Sequence, residues 1–117
     1  MTDYNFKDGK VYEGKCRGYG RQIGNVKDGK IYDGIGSLGS GHQDGNVKDG
    51  KIYDGIGSLG SGHQVGNVKD GKVYDGKSSP GTGHLIGKVS DFTINGIQYE
   101  RDETIVAVYH FLIKKIF

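Results

Sequence analysis

The chain contains no tryptophan, one proline, one cysteine and one methionine in 117 residues. One proline excludes a proline-rich linker protein. The lone Cys16 cannot close an internal disulfide, which suits a reducing compartment. Apolar residues make up 33% of the chain, so a conventional two-layer globule would be short of core. The opening MTDYNFKDGK is polar throughout and unlike a signal peptide, so a bacterial-type cytoplasmic chain is expected. A formal net charge of +2 gives no electrostatic reason to expect a nucleic acid or an anionic membrane as partner.

Glycine, in contrast, is abundant. The chain holds 23, about one residue in five, against roughly 7% in ordinary proteins. There is no Gly-X-Y periodicity, which excludes collagen. The glycines belong to an internal repeat of 21 residues. The stretch GNVKDGKIYDGIGSLGSGHQ occupies 24–43 and recurs unchanged at 45–64. Another copy opens with GNVKDGKVYDG at Gly66, a shorter one runs from Phe6, and a partial one begins GKVSD at Gly87. Twenty identical residues in a row mean duplication. Such a period implies a solenoid, propeller or hairpin array whose units are stabilised by stacking on one another.

Within each unit the sequence reads as short strands and tight turns. The Asp-Gly pair in VKDGKIY is a favoured two-residue hairpin turn. It sets Lys27 opposite Lys30 and Val26 opposite Ile31, with Lys27, Lys30 and Tyr32 on the second face. The glycine-spaced IGSLGSG suits a turning connection. The position held by Ile23, Val65 and Ile86 is occupied in one copy by Asp44, which is expected to sit at a rim or to distort one coil. A hairpin meander would space equivalent residues about 9.5 Å apart, and one coil per repeat about 4.8 Å. The reading is therefore mainly β: a tandem β-hairpin repeat array or β-solenoid over 1–89. A terminal hairpin and a hydrophobic helix, for capping or oligomerisation, follow over 90–117.

That terminal region differs in kind. DFTINGIQYE predicts a hairpin turning at Asn95-Gly96, with Phe92, Ile94, Ile97 and Tyr99 on one face. RDETIVAVYHFLIKKIF predicts a helix over about 102–116, acidic at its start and with Lys114 and Lys115 near its end. The run is too short to span a membrane, which needs about 20 residues, and His110 interrupts it. An all-round apolar helix must be buried. It could cap the open end of the array, or meet another chain through Ile105, Val108, Leu112 and Ile116. The second reading makes a homo-oligomer, a dimer first and a trimer second.

Candidate chemistry is sparse. His42, His63 and His84 recur in register, with Arg21 in the equivalent place of the first copy. They read as repeated surface residues, because metal ligands must converge within about 2 Å of the ion. Tyr12, Tyr32, Tyr53 and Tyr74 form a second line, suited to packing along a sheet or to a partner surface. The aspartates Asp8, Asp28, Asp49 and Asp70 are explained by their turns. No GxSxG, Walker A, HExxH or paired-cysteine motif occurs, so no catalytic residue, metal or cofactor is expected.

The unit G-x-V-x-D-G-x-V-Y-D-G with a small-residue linker, over about 6–89, resembles tandem repeats of uncharacterised bacterial proteins of the kind carried on integron gene cassettes. Those proteins also often end in a hydrophobic segment. KVYEGKCRGYG at 10–20 is more weakly similar to MORN repeats. The function expected is a non-enzymatic binding or scaffold module for another macromolecule, presenting the tyrosine and histidine lines. The alternatives are a small-molecule binder or enzyme with a pocket at an array–helix or subunit interface, and a purely structural self-assembling protein.

Overall fold

A computed structural model describes residues 3–117. Nine antiparallel strands follow one another in a single sheet, in sequence order. They are β1 Tyr4–Lys7, β2 Lys10–Glu13, β3 Arg21–Lys27, β4 Lys30–Asp33, β5 His42–Lys48, β6 Lys51–Asp54, β7 His63–Lys69, β8 Lys72–Asp75 and β9 His84–Lys88. Each Asp-Gly turn joins two strands of a hairpin, with φ of 51° at Asp28 and 78° at Gly29, the left-handed pair that such a turn requires. Lys27 pairs with Lys30 and Val26 with Ile31, as the turn dictates. The sheet is a meander of hairpins, not one coil per repeat. The repeat region was expected to begin at residue 1; Met1 and Thr2 lie outside the described residues.

The glycine-spaced connections fold back on a scaffold of buried amides. Asn25 is fully buried; its Oδ1 accepts from the Gly39 N–H at 2.7 Å and its Nδ2 donates to the Ser40 carbonyl at 3.0 Å. Asn46 repeats both bonds with Gly60 and Ser61, and Asn67 with Gly81 and Thr82. Gln22 and Gln43 clamp Gly36 and Gly57 in the same two-way manner. These side chains supply the partners that loop backbone needs once it leaves water. Each loop also reaches the preceding repeat, where Leu38 lies against Gly9 and Leu59 against Gly29.

One bulge per repeat curls the sheet. The register slips between Val11 and Tyr12, and again between Ile31 and Tyr32, Ile52 and Tyr53, and Val73 and Tyr74. Bulges at one repeated position bend a sheet in one direction. Flat, nine strands would span about 38 Å at ~4.8 Å per step. Yet Val89 bonds the Gly71 carbonyl while Asn95, six residues on, bonds β1. Six residues reach roughly 20 Å at most. The sheet is therefore a trough, not closed into a barrel.

The C-terminal region fills the trough. Helix α1, Asp102–Val108, packs across β5, β6 and β7, and Ile105, Val106, Ala107 and Val108 are buried with Val11, Ile31, Ile52 and Val73. Glycines line the concave face where the tail crosses it. A Cβ on Gly24 would collide with Leu112, on Gly45 with the Phe111 ring, and on Gly66 with the Phe117 ring.

Three sequence expectations change here. The Asn95-Gly96 hairpin is absent: Val89–Phe92 forms a 3-10 turn, and Asn95 instead pairs in parallel with Asn5 on the β1 edge. A tertiary partner displaces the local one. Phe6 N–H donates to the Asn95 carbonyl at 2.8 Å, and Asn95 Nδ2 to the Lys15 carbonyl at 3.2 Å. Ile97 is buried while Tyr99 is 85% exposed, so the four apolar residues share no face. The helix expected to 116 is α-helical only to Val108; a π turn follows over Tyr109–Ile113, and Lys114 is extended. It covers the middle of the sheet and not its end. Ile105 and Val108, expected at the centre of an interface between chains, are buried against the chain's own sheet, and Leu112 and Ile116 pack against the same core.

Candidate functional site

The bulge in each repeat turns one extra residue of the long strand onto the concave face. Ile23 and Val65 use that place to join the core. Asp44 uses it to put a carboxyl into a groove of about 710 Å³ between the sheet and the C-terminal tail. Asp33, His42, Gln43, Asp54 and Ile56 line the sheet side, and His110, Phe111, Leu112, Lys114 and Lys115 the tail side.

Burial pushes the Asp44 carboxyl up from 3.8 to about 6; Asp33 adds to the rise, His42 opposes it and Asp54 adds a little more. His110 shifts the other way. Burial lowers it from 6.5 to about 4, opposed by Asp54 and aided by Lys115. Its ring is gripped by the chain end, since Nδ1 accepts from the backbone N–H of Ile116 at 3.0 Å and of Phe117 at 3.3 Å. The proton of the neutral imidazole is therefore on Nε2. Nε2 has no hydrogen-bond partner among the described residues. Among the described residues no fully buried side-chain nitrogen or oxygen goes unpaired, so Nε2 reaches the groove surface.

The lines of residues singled out from the sequence are placed differently. Tyr12, Tyr32, Tyr53 and Tyr74 are half-buried, opposite Asn5, Asn25, Asn46 and Asn67. His42, His63 and His84 are exposed, and each stands opposite an aspartate: Asp33, Asp54 and Asp75. Glu13 and Arg21 form the same pair in the first copy, 3.9 Å apart. Only His42 contributes to the groove. Among the described residues no group of three or more His, Cys, Asp or Glu is arranged to hold a metal ion. None of their helices is long and apolar enough to cross a membrane.

Sequence reasoning noticed Asp44 as an irregularity but assigned it no role. It missed His110, which registered only as an interruption in an apolar run. A polar residue in an otherwise buried helix was the available signal. No family model matches the chain, and comparison with curated proteins and with solved structures gave no match.

Proposed function

We propose that the protein is a non-enzymatic binding module, built as a tandem array of hairpin repeats, whose ligand sits in the groove beneath the C-terminal tail. The observation that supports this reading is Asp44. Where the repeats otherwise place Ile or Val, this carboxyl is half-buried against two others at a cost to folding. Breaking a local rule without a compensating contact marks functional or strained sites. The tail residues that line the same groove, His110, Lys114 and Lys115, lie outside the repeats. The direct test is a thermal-shift screen of a small-metabolite library on the full chain. Ligands that raise Tm in the native protein and not in Asp44→Val support the reading. A screen with no ligand, or with every ligand retained by the variant, refutes it.

A second reading, a scaffold for an extended macromolecule, is favoured by the exposed line of His42, His63 and His84 at one position per repeat. It requires that replacing all three by Ala removes partner binding while Asp44→Val leaves it intact.

A further inference from the structure

The two walls of the groove differ in chemistry. The sheet wall carries the carboxyls of Asp33, Asp44 and Asp54; the tail wall carries Lys114 and Lys115. His110 stands at the tail side, 7% exposed, its Nδ1 held by two backbone N–H groups and its Nε2–H without a partner among the described residues. A donor held at the groove surface in this way is open to an acceptor from outside the chain. Ile56 and Phe111 add apolar surface.

A simple cation would suit the carboxyls but would face Lys115 and an imidazole donor. A simple anion would suit the tail and be repelled by the sheet. A molecule carrying both charges satisfies both walls. We propose, resting on the binding reading above, that the groove takes a small zwitterion with an apolar body, of the class of the apolar α-amino acids. Its ammonium meets Asp33, Asp44 and Asp54, its carboxylate meets the His110 Nε2–H and the lysine ammoniums, and its side chain lies along Ile56 and Phe111. The volume lies within the range of small-molecule sites.

Binding depends on pH in a defined direction. An ammonium favours ionised Asp44, whose carboxyl titrates near 6, so affinity rises from pH 5 to pH 7.5. Asp33, His42 and Asp54 act on Asp44 from the sheet, and the titratable groups of the tail that line the same groove are His110, Lys114 and Lys115. His110 stays neutral above about 4.

The test uses the full chain with L-leucine and its two halves: isoamylamine, which lacks the carboxylate, and 4-methylpentanoate, which lacks the amine. Calorimetry gives affinities and amide NMR locates the site. L-Leucine is expected to shift the amides of Asp44, Asp54, Lys114 and Lys115, and to bind at least tenfold more tightly than either half. Asp44→Val, which reproduces the local sequence around Val65, and Asp44→Asn each weaken it about tenfold, as does pH 5. The proposal is overturned if leucine leaves those amides unmoved, or if isoamylamine or 4-methylpentanoate binds as well as leucine. Either result leaves the binding reading standing, because that reading fails separately, when no library compound depends on Asp44.

Discussion

Two notches, one repeat apart, are built from the same parts. Arg21, Gln22, Ile23, Asp33, Gly34 and Ile35 line the first, about 410 Å³. His42, Gln43, Asp44, Asp54, Gly55 and Ile56 stand at the equivalent positions of the second, about 710 Å³. Four of the six residues are the same. The first is a crease with an apolar wall. The second becomes a chemically mixed groove because Asp44 replaces an apolar residue and because His110, Lys114 and Lys115 cross above it. Duplication supplies the notch; residues outside the repeats make one notch a candidate site.

The comparison can be broken most severely by deleting residues 100–117. Val11, Ile31, Ile52 and Val73 would lose the helix that covers them, at more than about 5 kcal/mol for Ile105, Val106 and Val108 alone. Both notches should vanish, with no cooperative melt by circular dichroism. A two-state melt close to that of the full chain would show that the array stands without its filling.

Smaller changes sharpen it. Asn25→Ala and Asn46→Ala each strand a glycine N–H and a serine carbonyl, so each should cost about 2–4 kcal/mol in urea unfolding. The two losses should agree, since the buried scaffold repeats. A clear inequality would mean that the repeats are not energetically equivalent. Gly24→Ala and Gly45→Ala should differ, at about 1–3 kcal/mol each. The Gly45 variant should be the worse, because the Phe111 ring yields less readily than the Leu112 methyls.

The smallest effect is the most specific. Asp44 keeps its proton up to about pH 6 in the native state and to 3.8 when unfolded, so its cost is complete above pH 6 and gone below 3.8. Asp44→Val should stabilise the protein by about 1–2 kcal/mol at pH 7, after allowing for solvent screening, and by less at pH 4. His110 runs oppositely. The unfolded state binds its proton near 6.5 and the native state near 4, so stability falls as the pH drops through that window. The two trends offset each other in the native protein. Asp44→Val should therefore reveal a steeper acid loss between pH 6.5 and 4, and equal slopes would refute the assignment.

Much of the sheet was legible because its determinants are local. Asp28-Gly29 needs left-handed backbone, and that need alone sets Lys27 opposite Lys30. The Asn95-Gly96 turn carried an equally strong local signal and was overruled, because the β1 edge offered Asn95 backbone partners that no short-range pattern reveals. The buried Asn25 and Gln22 went unread for a related reason. Their roles depend on loop backbone fourteen or fifteen residues away, and polar residues between glycines look like ordinary surface.

The sequence by itself determined the repeat, the hairpin register and the oddity of Asp44, since identical local chains adopt identical local geometry. Only the tertiary structure decided that the sheet curls and that the last helix lies within the curl. It also decided that His110, trapped by the backbone of Ile116 and Phe117, lines the same groove as Asp44. The bend accumulates from four bulges, each too small to read alone, and the groove is shared by Asp44 and His110, 66 positions apart in the chain.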